Sequence, residues 1–123
     1  RRHGNAGYFW EPTILENVPK DADLMKNEIF GPIVPLIKFS DYDEVVSEAN
    51  SLRYGLASYV YTENEKLKNK LANDIEAGGV SINSAAPMHV DIPYGGLKES
   101  GYGYEGGQEA IDSYIQKKNI NII

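Results

Sequence analysis

Ala57-Ser58-Tyr59-Val60-Tyr61, then Thr62 to Ile75, then Gly78-Gly79-Val80-Ser81-Ile82 is the stretch that sets the fold. Its two ends are short, β-branched and aromatic, as strands are. Between them Leu67, Leu71, Ala72 and Ile75 recur at helical spacing and mark one face. Thr62 is placed to cap this helix, with Glu65 answering three residues on, and Gly78-Gly79 to end it. The same unit occurs upstream. Ile33 to Phe39 is an apolar run whose Pro35 marks a strand near a sheet edge. Ser40 then opens a helix with Asp43 in the capping-box position; Val45, Val46, Ala49 and Leu52 form its inward stripe, and Tyr54-Gly55 breaks it. Strand, helix, strand, helix, strand at these lengths predicts an α/β fold, a largely parallel open sheet with crossover helices. Downstream, a glycine-rich loop leads to a helix over about 105–114 and a last strand over 115–123.

Composition narrows the function classes. A length of 123 residues allows one domain with a modest core. The formal charge of −6 argues against nucleic acid or an anionic membrane as partner. No apolar run is long enough to span a bilayer and no secretion leader is evident. Zero cysteines exclude disulfides and thiolate metal sites, which fits a cytoplasmic protein. With two histidines far apart, His3 and His89, no metal site is expected.

Two motifs carry the chemistry: Asn27-Glu28-Ile29-Phe30-Gly31-Pro32, and Pro93-Tyr94-Gly95-Gly96-Leu97-Lys98-Glu99-Ser100-Gly101-Tyr102-Gly103. In the first, a carboxylate accepts well from paired hydroxyls, and a flat apolar ring can lie against a planar group. The bland alternative is a solvated Glu28 and a core Phe30. In the second, Gly101 to Gly106 satisfies G-x-G-x-x-G. A dinucleotide fingerprint, however, needs a strand just before it and an acidic residue well after it, and here the preceding residues are loop-like. Lys98 and Ser100 form a Ser-Lys pair of the kind that can be nucleophilic. With no base or oxyanion donor beside them, they are expected to hold the loop instead.

Taken with Gly7-Tyr8-Phe9, Glu11-Pro12-Thr13-Ile14-Leu15, Tyr54-Gly55-Leu56-Ala57 and Ala77-Gly78-Gly79-Val80 with Ile82-Asn83, the two motifs resemble the C-terminal part of the catalytic domain of NAD(P)-dependent aldehyde dehydrogenases. The order is the family's and nearly the whole chain is covered. The resemblance implies that Glu28 holds the nicotinamide ribose and Phe30 lines the nicotinamide site, with NAD or NADP as cofactor. It implies that the loop from Ser84 into Pro93 lines the aldehyde tunnel, with Tyr94 as the main substrate contact and Met88 and His89 as further ones. Tyr94 packing under the loop, and His89 as solvated surface, are the alternatives. The family commonly has a basic residue where this chain has Tyr104, which alters a local ion pair with Glu105.

The family oxidises aldehydes through a cysteine thiolate and a glutamate base, both upstream of the motif matched by Glu28. Only 27 residues precede Glu28 here, and none is Cys. The expectation is therefore a fragment, inactive alone, of a parent enzyme that oxidises an aldehyde to a carboxylate. Residues 1–118 would be a partial catalytic domain. Residues 119–123 (Asn119, Ile120, Asn121, Ile122, Ile123) would be a C-terminal strand that makes a homo-oligomer, since an uncovered apolar strand needs a partner. The ending from Ser100 through Tyr114 most resembles semialdehyde dehydrogenases, which implies a small-molecule aldehyde such as succinate semialdehyde; lactaldehyde and aliphatic aldehydes stay open. A rival from another class is a non-enzymatic oligomerisation or scaffolding module that keeps the fold.

Overall fold

The structure is a computed structural model that describes residues 1–86 and 89–123. They form two compact units, Arg1–Tyr42 and Asp43–Ile123.

The first unit is built on a parallel pair, β1 (Thr13–Glu16) and β2 (Ile33–Leu36). Pro35 stands opposite Leu15 in that ladder, and the strand stops at Leu36, short of the expected Phe39. A proline donates no ladder hydrogen bond, which suits a two-stranded sheet with free edges. Between the strands lies a 3-10 turn, Asp23–Met25.

In the second unit, α1 (Tyr42–Asn50) leads through β3 (Tyr54–Gly55) to β4 (Ala57–Val60). Then come α2 (Glu65–Asp74) and β5 (Gly79–Ile82), with β4 and β5 parallel. That strand–helix–strand crossover is the unit the opening stretch predicts. A two-residue β6 (Leu97–Lys98) pairs antiparallel with β3.

Several local details differ from the sequence reading. α1 begins at Tyr42 and not directly after Ser40. The cap of α2 is Asn64, whose Oδ1 accepts from the N–H groups of Lys66 (3.0 Å) and Leu67 (3.2 Å). Thr62 does not cap it: its hydroxyl accepts from the Asn64 N–H (3.2 Å), ahead of the helix, while its own backbone N–H and C=O are held by the Asn83 side chain at 2.9 Å each. Gly78 and Gly79 do not end α2; Ile75 does, turning extended at φ −83, ψ 123. The helix expected over 105–114 shrinks to a 3-10 turn, Glu109–Ser113, because Gly106 (φ 68) and Gly107 (φ 62) sit in the left-handed region. Residues 115–123 form no strand within the chain, since no described strand pairs with them.

The expected inward stripes are only half-buried: Val45, Val46, Leu67, Leu71 and Ile75 are intermediate, while Ala49, Leu52 and Ala72 are exposed. Among the described residues no apolar side chain is fully buried. Those that are buried are Gly55, Ser81 and Gly95, all in the second unit.

Candidate functional site

In the first unit the segment 28–30 is strung between two fixed ends. Asn27 donates to the carbonyl of Asp23 from its backbone (2.9 Å) and its side-chain amide (3.2 Å). On the other side the carbonyl of Pro32 accepts from Thr13 at the head of β1 (2.8 Å). Between them exposure alternates: Ile29 is half-buried, and Glu28 and Phe30 face solvent. Phe30 is 95 % exposed, so in this unit it is not a core residue. A Cβ built on the adjacent Gly31 would meet nothing within 4 Å. Glu28 makes no ion pair among the described residues. The segment thus offers an uncommitted carboxylate, an open aromatic face and clear space beside them, which fits a ribose–nicotinamide group. A cleft of about 260 Å³ at the carboxyl ends of β1 and β2, lined by Glu16, Leu36 and Lys38, contains neither Glu28 nor Phe30.

In the second unit the loop after β5 is anchored at both ends. At its start Asn83, left-handed at φ 54, donates its backbone N–H to Val60 (2.7 Å) and clasps Thr62 through its amide. Asparagine tolerates this conformation better than most residues. The buried Ser81 hydroxyl lies 3.4 Å from the carbonyl of Ala86. At the loop's end Tyr94 exchanges backbone hydrogen bonds with Glu105 (2.7 and 2.8 Å). The Tyr94 ring, half-buried, lies over Gly79, where a Cβ would sit 3.6 Å from Cε2. His89 is exposed and 3.7 Å from Asp91, so the loop's one basic group already faces a carboxylate. Met88 lies outside the described residues.

Four glycines close this loop by bringing backbone onto backbone. A Cβ on Gly55 would fall 2.5 Å from the Glu76 oxygen, and one on Gly78 1.6 Å from the Gly95 oxygen. A Cβ on Gly95 would fall 2.3 Å from the Gly103 oxygen, and one on Gly96 2.4 Å from Ser100. Ser100 Oγ accepts from the Gly55 N–H (2.9 Å). Lys98 stands at φ 54, a conformation that costs a non-glycine residue roughly 1–2 kcal/mol. It is compensated: Nζ donates to the carbonyls of Asn50 (2.6 Å) and Leu52 (3.2 Å) and lies 2.8 Å from Glu76 Oε2. Both Lys98 and Ser100 therefore make loop-holding contacts. Gly101 to Gly106 follows a two-residue antiparallel strand and precedes only a 3-10 turn, which is not the setting of a dinucleotide fingerprint.

Sequence reasoning passed over Asn50 and Glu76, and gave Asn83 no role of its own. Asn50 donates to the carbonyl of Asp74 (2.7 Å) and accepts from the Glu76 N–H (2.9 Å), tying the ends of the two helices. The one advance signal was an asparagine directly after a strand, which favours a left-handed turn. Among the described residues no group of three His, Cys, Asp or Glu could hold a metal ion, and no helix is long and apolar enough to cross a membrane.

Known proteins share this sequence and fold. The pattern of the aldehyde dehydrogenase family matches residues 1–120. An NAD(P)+ aldehyde dehydrogenase of Saccharomyces cerevisiae is 46% identical over 119 residues, which is 97% of this chain and 24% of that protein. The Bacillus cereus aldehyde dehydrogenase solved with NAD+ superimposes with a TM-score of 0.86 at 42% identity, over 92% of this chain and 23% of that one. Succinate-semialdehyde dehydrogenase of Burkholderia pseudomallei does so with a TM-score of 0.86 at 39% identity, over 93% of this chain and 24% of that one. The chain spans about a quarter of the length of these relatives.

Proposed function

Because the chain belongs to the aldehyde dehydrogenase family, we propose that the protein carrying it oxidises an aldehyde to a carboxylate with NAD or NADP, and that Glu28 and Phe30 are its contribution to the cofactor site. The observation that supports this most is the pairing of an uncommitted Glu28 carboxylate with an exposed Phe30 ring beside the open flank of Gly31. When bound, the nicotinamide supplies the hydride acceptor. Glu28 accepts the ribose hydroxyls and so fixes the rotation of the attached ring. Phe30 offers a flat apolar wall that keeps water from one face. Tyr94 and His89, with Met88, serve the aldehyde from the loop after β5.

Residues 1–118 on this reading are part of a catalytic domain that needs further chain for its nucleophile and base. The test is product balance: one NAD(P)H and one carboxylate per aldehyde consumed by the protein carrying this chain, and neither from residues 1–123 alone. Carboxylate formation without NAD(P)H, or turnover by residues 1–123, would remove the proposal. Among substrates, a semialdehyde is supported by the likeness to the Burkholderia enzyme.

Asn119 to Ile123 is the proposed oligomerisation element. Ile120, Ile122 and Ile123 are all exposed, and the segment has no ladder partner among the described residues. Deleting the five residues should lower the mass of the assembly measured by light scattering. An assembly of unchanged subunit number would show that the contact lies elsewhere.

A further inference from the structure

Residues 76–79 and 94–98 touch at three successive points. At one end the Lys98 ammonium meets Glu76. In the middle Gly78 and Gly95 bring their backbones together. At the other end the Tyr94 ring faces the open side of Gly79, 3.6 Å from where a Cβ would stand. Lys98 is held from a second side as well, by the carbonyls at the end of α1, where the helix dipole favours a cation. The residue giving the nearer of those carbonyls, Asn50, also grips the Glu76 backbone with its side chain. Lys98 therefore locks the connection after α2, and with it the seat under Tyr94, to the end of α1. Its side chain is only 24 % exposed and it keeps a left-handed backbone, which persists only where the surroundings over-determine it.

We propose that Lys98 is a positioning residue for Tyr94: through Glu76 and Asn50 it fixes the backbone seat at Gly78 and Gly79 that the Tyr94 ring faces, and so sets how tightly the aldehyde is held. This rests on the reading that Tyr94 contacts the aldehyde. Lys98 itself touches neither substrate nor cofactor; it acts by restricting where Tyr94 sits.

The experiment is a double-mutant cycle in the protein that carries the chain. Lys98→Met should raise the aldehyde KM about tenfold, since a small misplacement of a contact group is costly. The NAD(P)+ KM should stay within about twofold. Lys98→Arg should recover most of the loss, because a guanidinium can still donate to the same carbonyls and carboxylate. Glu76→Gln, which leaves the carbonyl contacts in place, should act in the same direction with a smaller effect. In a Tyr94→Ala background Lys98→Met should add nothing, because residues acting through one contact are non-additive. Additive effects, or a parallel rise in both KM values, would overturn the proposal. Should Tyr94→Ala alone leave the aldehyde KM unchanged, the substrate reading fails, and amide exchange decides the role of Lys98. Exchange about tenfold faster at Gly78, Gly79, Tyr94 and Glu105 in Lys98→Met, with Tyr59, Val60 and Ile82 in the rest of β4 and β5 unaffected, supports the positioning role. Unchanged exchange there refutes it.

Discussion

Gly78→Ala is expected to destroy the packing of the second unit. The added Cβ would stand 1.6 Å from the Gly95 carbonyl oxygen and 2.8 Å from its carbonyl carbon. Both are backbone atoms, so no side chain can swing aside. The Gly78 N–H also donates to the Gly55 carbonyl (3.0 Å), which holds Gly78 from the other side. Overpacking a core with a methylene costs about 1–3 kcal/mol when neighbours can yield. Here they cannot without parting the two segments, and a loss of about 4 kcal/mol or more is expected. Gly31→Ala is the internal control: nothing lies within 4 Å of its Cβ position. It should change stability by less than about 0.5 kcal/mol. Denaturant midpoints of the two variants, in the protein carrying this chain, make the comparison. Equal midpoints would mean that the junction is not the rigid centre of this unit.

The second large effect is on chemistry. Glu28→Gln keeps the size and shape of the side chain and removes its charge. A carboxylate offers acceptors on both oxygens, whereas the amide has one oxygen and turns two donors toward the same hydroxyls. Hydrogen bonds to an ionised acceptor contribute about 1.5–3 kcal/mol, so hydride transfer in a single turnover should slow about 10- to 100-fold. The aldehyde KM should move by no more than about threefold, since the change is at the cofactor. An unchanged hydride step would mean that Glu28 does not orient the ring.

What could be read from the sequence was what is local. β4, α2 and β5 were legible because their apolar spacing and turn residues lie within the elements themselves. The cap of α2 was misassigned because the helix begins only at Glu65, and the Thr62 hydroxyl is used by the Asn64 N–H just before it. Gly78 looked like a helix stop, yet its reason for being glycine is a contact with Gly95 across the loop. The helix expected from Glu105 failed on two adjacent glycines whose positive φ no periodicity announces. Glu76, which no sequence pattern singles out, meets Lys98 across the same junction. At the candidate site, residues 27–32 by themselves left a solvated Glu28 and a core Phe30 open, and the cofactor role came from the resemblance; the structure adds that Phe30 is exposed and that the flank of Gly31 is open.

The measurement that goes most directly to the cofactor wall is a crystal structure of the protein carrying this chain with NAD+ or NADP+ bound. The account predicts both ribose hydroxyls next to the nicotinamide within hydrogen-bond reach of Glu28, at about 2.7 Å, and the Phe30 ring against the nicotinamide. A cofactor ordered elsewhere, with the Glu28 carboxylate turned to solvent or paired within the protein, would contradict it.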